Sequence, residues 1–259
     1  MSLFRLSLLL AAFLLTGCAS TCLVGVKRPY ADPEGTVPRM VFLPEVPNLR
    51  DLGGWRTVGG KVVRQGMIYR SGRLNERWRW YRVGPARDIL SDETRRFLVE
   101  DLGIRTEIDL RKEVNCRGMV ESPLGPSVKF VNIPSKAYDD LLTSAGRDAV
   151  RRAFKEFLRP ENYPILFHCE GGNDRAGALA FILNGLLGVD EADLRKDWRL
   201  SRVWNGRADS ECEQRLARLE AVFDGYKGRS VHERVKGYVL SLGFSEGDIG
   251  TFKSLMLAE

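Results

Sequence analysis

The chain has 259 residues, 44% of them hydrophobic, and a net charge of +6 at neutral pH, so it is long enough for one domain with a full core behind a leader. Its two histidines, His168 and His232, stand far apart, which argues against a His-rich dinuclear metal centre; no metal and no other cofactor is called for. The positive charge comes largely from arginine, dense over 64–87 and 195–218, but Trp78, Trp80 and Tyr81 are the one aromatic cluster with it, so it reads as a solvated face and no nucleic-acid partner is expected.

At the N-terminus a basic Arg5 precedes a short apolar core over 6–15 and the small-residue site Leu15-Thr16-Gly17-Cys18. That is the pattern of a secretory signal, too short for a comfortable membrane span. Its ending resembles a bacterial lipobox, which implies cleavage before Cys18 and lipidation of Cys18; a plain signal with a chance cysteine is the alternative. The lipid would tether the chain to a membrane surface. Ala19 in place of an acidic residue points to an exported protein on the periplasm-facing outer membrane or the cell surface. Residues 1–18 are thus read as a lipoprotein signal, 19–45 as a Pro- and Gly-rich tether, and 46–259 as the folded domain.

Within that domain, strand-like runs at 62–69, 106–110, 128–133 and 165–167 alternate with helical stretches at 94–102, 147–158, 176–187, 191–199, 211–223 and 230–242. Such alternation predicts an α/β fold, a mostly parallel central sheet flanked by helices. The chemistry concentrates where the strand Ile165-Leu166-Phe167 ends in His168-Cys169, turns through Glu170-Gly171-Gly172-Asn173-Asp174 to Arg175, and enters an Ala/Leu-rich helix. The spacing of Cys, five residues and Arg recurs at Cys22 with Arg28 and at Cys212 with Arg218. Neither has the strand, the two glycines and the helix around it, so those two are accidents of an Arg-rich chain.

In a turn between strand and helix, successive backbone N–H groups converge on one point, and the helix N-terminus adds roughly half a positive charge there. A phosphate dianion fits that point. Cys169 at the head of the turn is stabilised as the nucleophilic thiolate. Glu170, Gly171, Gly172, Asn173 and Ala176 would line the substrate cradle, and Arg175 would grip two phosphoryl oxygens bidentately. Asp174, inside the turn, is placed first as general acid, with Asp139 and Asp140 as rivals in the loop after the strand at 128–133. His168 would orient the turn or simply fill the core. Arg50 and Arg70 could reach the phosphate or serve as salt-bridged structural arginines.

The segment His168-Cys169-Glu170-Gly171-Gly172-Asn173-Asp174-Arg175-Ala176-Gly177 is similar to the signature of cysteine-dependent phosphatases, in particular the atypical bacterial tyrosine/serine phosphatases of the IphP type. The upstream runs 48–56 and 66–72 and the strand run 104–111 resemble further motifs of that family, in order, so the likeness covers nearly the whole of 46–259. The resemblance implies the tyrosine-phosphatase fold, and phosphorylated proteins or small phosphate monoesters as partners. It also implies a two-step reaction in which Cys169 accepts the phosphoryl group, Asp174 protonates the leaving group and water hydrolyses the cysteinyl phosphate.

Two departures qualify it. Several relatives carry lysine where this chain has Asn173, and that lysine goes with phosphoinositide activity; its loss, with the added charge of Glu170, should disfavour inositol phosphates. Relatives usually carry Thr or Ser at the position of Ala176, whose hydroxyl supports the departing sulfur, so slow breakdown of the intermediate is expected. A phosphoinositide or inositol phosphate phosphatase and a catalytically weak phospho-ligand-binding module remain as alternatives. Export would expose the thiols to oxidation. Cys22, Cys116 and Cys212 are odd in number, and Cys116 is either a buried free thiol or a protective partner for Cys169.

Overall fold

Three of the apolar runs expected as strands, with the end of the fourth, lie side by side in the computed structural model, which describes residues 27–30, 40–76, 88–112 and 119–258. Cys18, Cys22 and Cys116, the signal at 1–18 and the Trp78, Trp80 and Tyr81 cluster lie outside the described residues. Along the chain run β1 (Lys27–Tyr30), β2 (Met40–Leu43), β3 (Val46–Asp51), β4 (Val62–Val63), β5 (Ile68–Ser71), β6 (Thr106–Asp109), β7 (Lys129–Asn132), β8 (Ile165–His168) and β9 (Leu257–Ala258). The described helices are α1 (Asp92–Arg96, continued by a π-helical turn Phe97–Asp101), α2 (Ser144–Phe157), α3 (Asp174–Leu187), α4 (Glu191–Asn205), α5 (Asp209–Ala221), α6 (Val231–Ser241) and α7 (Glu246–Met256).

Seven strands form the central sheet in the order β1-β2-β3-β5-β8-β6-β7, while β4 and β9 make a separate two-stranded ribbon. The predicted runs supply its parallel half, β5-β8-β6-β7. The other half is antiparallel, so the sheet is mixed. Alternate residues of β8 feed two cores, as the two-residue period of a strand requires. Ile165 and Phe167 join the larger cluster under α3, and Leu166 joins Tyr69, Leu98 and Ile104 on the opposite face. A strand covered on both faces has no polar side, which is why this run reads as continuously apolar.

Every residue of α3 from Ala176 to Leu187 is buried. An all-apolar helix of this kind belongs inside, and α3 runs between the sheet and α4, α6 and α7. Full burial of a Leu or Phe side chain contributes about 1.5–3 kcal/mol each, so α3 is the chief anchor of whatever begins at its N-terminus. Gly188 ends it in the left-handed conformation, φ 80°, a role suited to glycine.

Three expectations change. The run 62–69 is not one strand: Asp51 accepts from the N–H groups of both Gly53 and Gly66, each at 2.7 Å, and this clasp bends the chain between β4 and β5. Residues 27–30 and 40–43, assigned to the tether, pair as outer strands; their runs are too short to show a period. Helix α7 was absent from the predicted set, although Ser245 and Asp248 form a reciprocal cap at its start. No helix of the described residues is long and apolar enough to cross a membrane.

Candidate active site

Register alone brings the key positions to one edge. Ser71, His168 and Asp109 lie abreast on β5, β8 and β6, so the segments following these parallel strands all leave from the carboxyl edge of the sheet, the usual ligand-binding edge of such sheets. Cys169 follows His168 and is 3% exposed. The chain then turns, and α3 starts at Asp174. Gly172 sits at φ +71°, where a Cβ would lie 2.7 Å from the backbone of Ser71 and Gly72; no other residue fits there without moving β5. Cys169, Glu170, Gly171, Gly172, Asn173, Asp174, Arg175 and Ala176 therefore share one turn. Cys212 lies buried in α5, and Arg218 pairs with Asp139 at the surface, so the second Cys-to-Arg spacing is indeed a helical coincidence.

The first-turn N–H groups of a helix have no intrahelical acceptor. In α3 no side chain caps them: Asn173, at the cap position, instead receives the Asn48 amide on its own Oδ1 at 2.9 Å. The start of a 14-residue helix is thereby aimed at the turn, which makes it suited to an anion.

Beneath the turn lies a buried charged frame that answers the question left open for Arg50 and Arg70. The two arginines face each other across β3 and β5, and both are 0% exposed. Asp197 of α4 joins them, accepting from Arg50 Nε at 2.9 Å and from Arg70 Nη1 at 2.6 Å. Arg70 Nη2 donates to the Gly172 carbonyl at 2.7 Å. Arg50 donates to Asn48, whose amide also reaches the Gly171 carbonyl at 3.3 Å. These arginines are structural grips on the back of the turn. Burial, then the neighbouring Arg50, pushes Arg70 down to about 9 against the pull of Asp197, so it stays charged at neutral pH. Asn48 holds φ 58°, a strained conformation that asparagine tolerates better than most residues.

A second buried frame lies beside it. His168 Nε2 meets Glu107 Oε1 at 2.8 Å and its Nδ1 lies 3.4 Å from the Cys169 carbonyl, which agrees with an orienting role. Ser122 donates to Glu107. Arg111 donates to both oxygens of Asp109 at 2.7–3.0 Å. Burial raises the Asp109 carboxyl, but the charge of His168 and the bonds from Arg111 outweigh it and leave it below its usual range. Glu107, Asp109 and His168 are close enough to share an ion, yet their oxygens are already occupied by Ser122, Arg111 and His168. Glu170 lies 3.8 Å from Arg111 and 3.9 Å from Arg73. Its charge is offset, which weakens the expectation that it repels polyanionic ligands.

On the solvent side, Asp174 is tightly held. It accepts from Arg207 Nη1 and Nη2 at 3.0 and 3.1 Å, from Arg215 Nη1 at 3.1 Å, and from the Tyr138 hydroxyl. Burial pushes this carboxyl up, but the bonds from Arg207 and Tyr138 and the charges of Arg207 and Arg215 win, so it lies below the ordinary carboxylate value. Tyr138 holds φ 57°, strained for an aromatic residue, with the Arg218 guanidinium 4.8 Å above its ring. Arg175 makes one hydrogen bond, to the Leu110 carbonyl at 3.3 Å. It borders a cavity of about 520 Å³ that Lys112, Lys136, Tyr138 and Asp140 also line. Of the rival acids, Asp140 borders that cavity, while Asp139 points to solvent, 75% exposed.

Asp197, Arg207, Arg215, Tyr138, Asn48 and Glu107 escaped the sequence reading. One signal was available: Leu194, Asp197, Trp198 and Ser201 form the buried stripe of α4, and an acid on an apolar stripe needs a buried partner. Nothing in the sequence marks Arg207 or Arg215 among so many arginines.

A family profile described as the tyrosine phosphatase family matches residues 41–258. A Cupriavidus necator protein, named as a candidate tyrosine-protein phosphatase, is 30% identical over 198 residues, covering 67% of each chain. Among solved structures, P. aeruginosa TpbA aligns at a TM-score of 0.43 with 17% identity over 71% of this chain and 91% of its own, and it has also been solved with phosphotyrosine. The S. cerevisiae PP-IP phosphatase Siw14 aligns at 0.37 with 18% identity, over 59% and 81%. At these scores the two structural likenesses decide nothing about the chemistry of this chain.

Proposed function

This chain belongs to the tyrosine phosphatase family and is a hydrolase of phosphoric monoesters of that type; from that premise we propose that its substrate is phosphotyrosine in protein, with phosphoserine and phosphothreonine as lesser substrates. The observation that carries this reading is the turn itself: a cysteine beneath the uncapped N-terminus of α3, with Arg175 at the same turn. In the first step Cys169 Sγ forms a bond to phosphorus as the bond to the leaving oxygen breaks. The first-turn amides of α3 and the Arg175 guanidinium hold the charge on the phosphoryl oxygens. Asp174 gives its proton to the leaving oxygen. Water then attacks phosphorus as the bond to Sγ breaks, which returns the Cys169 thiolate and releases phosphate, with Asp174 accepting the proton from water.

The test is a Cys169→Ser substitution with para-nitrophenyl phosphate and a phosphotyrosine peptide. Wild type should turn over both, and acid-quenched protein should carry phosphate on Cys169; the serine variant should lose turnover by at least about a thousandfold. Turnover that survives in the variant would overturn the reading. A binding module is disfavoured, because binding alone needs no thiol.

The proposed setting is the periplasm-facing outer membrane or the cell surface: export by the signal at 1–18 and attachment to a membrane surface through lipid on Cys18. The support is the apolar core over 6–15 followed by Leu15-Thr16-Gly17-Cys18.

A further inference from the structure

A general acid must hold a proton when substrate binds, yet Asp174 is gripped by two guanidiniums that favour its ionised form. The groups facing it come from three elements: Tyr138 from the 3-10 turn at Tyr138–Leu142, Arg207 from the link between α4 and α5, and Arg215 from α5. Glu211 is the remaining carboxylate of this cluster, 2.9 Å from Arg215 and 3.6 Å from Arg207. Two arginines are therefore balanced by two carboxylates. If Asp174 takes a proton, the arginine pair keeps one carboxylate and gains one uncompensated positive charge. An anion placed against the pair supplies what Asp174 then withholds. The coupling is reciprocal: an anion there favours protonation of Asp174, and protonation favours the anion. Both arginine side chains are partly open to solvent, 22% and 33% exposed, so a ligand can reach them.

Resting on the phosphatase reading above, we propose that Arg207 and Arg215 form a second anion site whose occupation by the substrate releases Asp174 to carry the leaving-group proton. Both touch the substrate's carboxylate and act on the chemistry through Asp174. The ligand class is an acidic phosphotyrosine peptide. Arg215 and Arg218 lie three residues apart on α5; Arg218 is 57% exposed and pairs at 3.1 Å with the more exposed Asp139, so an acidic chain that displaces this surface pair extends its contact outward from the turn, which suits an extended chain better than a compact ring. In the reaction the substrate carboxylate pairs with Arg207 and Arg215, Asp174 takes a proton from solvent, and that proton passes to the leaving oxygen as the Cys169–phosphorus bond forms. Departure of the acidic product returns the arginines to the ionised Asp174.

The test uses the full chain as its Cys169→Ser variant and a pair of phosphotyrosine peptides, one with flanking glutamates and one with alanines in their place. Titration calorimetry in two buffers of different ionisation heat reads affinity and protons taken up. The acidic peptide should bind about tenfold tighter and take up more protons than its neutral partner. Asp174→Asn should remove the extra uptake, and Arg207→Ala with Arg215→Ala should remove most of the preference. Wild-type kcat/KM on the same peptides gives an independent measurement: its fall with rising pH should come at higher pH for the acidic peptide. Equal affinities with equal uptake would overturn the proposal, as would failure of both peptides to bind or displacement of the acidic peptide by a soluble inositol polyphosphate at lower concentration. Loss of the phosphatase reading would show separately, as absent turnover of para-nitrophenyl phosphate by wild type.

Discussion

At the residue scale the site depends on acids that sit where acids are costly. Asp197 pairs through its two carboxylate oxygens with two arginines that are wholly buried. Removing one partner of a buried ion pair leaves an uncompensated charge and costs about 3–5 kcal/mol. Asp197→Ala should therefore lower the urea midpoint strongly and lose activity through the Arg70 grip on Gly172; an unchanged midpoint would contradict the frame described here. Ala176 is 0% exposed in the first turn of α3 and belongs to the same buried cluster as Cys169, and the missing hydroxyl there should slow the second chemical step. Rapid-quench kinetics on an aryl phosphate should show a burst in wild type, and Ala176→Ser should shrink it while raising the steady-state rate.

Among elements, the contact of α3 with α4 is set by one small residue. A Cβ on Gly177 would lie 2.6 Å from the Trp198 ring and 3.1 Å from Arg70 Nη2. Trp198 is buried and also donates from Nε1 to the Cys212 carbonyl, so it has no room to yield. Gly177→Ala should push α4 away from the turn, costing about 1–3 kcal/mol, and should reduce kcat more than the stability loss alone accounts for. Thermal melting together with steady-state rates checks this. Equal stability in the variant would mean that α3 and α4 pack less closely than these distances require.

For the whole molecule, acid stability follows from carboxylates held below their ordinary range, among them Asp109, Asp174 and Glu156, which are shielded from solvent to different degrees. A depressed folded-state value means that the unfolded chain binds protons first as pH falls. Their stabilisation is complete about a pH unit above the unfolded carboxylate value of about 4 and is lost as pH drops from there through the lower folded values. Urea midpoints should be flat from pH 7 to about 5 and fall steeply below about 4; Asp109→Asn should be less stable at neutral pH and show a shallower fall. At the same scale, Cys18→Ser should abolish incorporation of labelled fatty acid and release the protein from the membrane fraction. Labelling that persists would remove the lipid tether from the account.

The turn from Cys169 to Arg175, with β8 before it and α3 after it, was legible because its signals are local: a continuous apolar run, two glycines and good helix formers follow one another directly along the chain; each other parallel strand showed as its own apolar run. The same holds for Asp174 as a member of the turn. Of what surrounds that turn, the sequence offered Arg50 and Arg70 either as phosphate ligands or as salt-bridged structural arginines without deciding between them, and it did not mark the other partners. Asn48, Arg50, Arg70, Asp197, Arg207 and Arg215 come from segments up to 167 positions apart in the numbering, Asn48 to Arg215, and an arginine in a chain of 40 basic residues carries no mark of which carboxylate it will meet. Local chemistry specifies where a nucleophile can sit, because backbone geometry and helix polarity act over a few residues. Whether the neighbouring acid holds a proton is decided by charges that only the folded chain brings within 4 Å, since Coulomb energy depends on distance in space and not on distance along the chain.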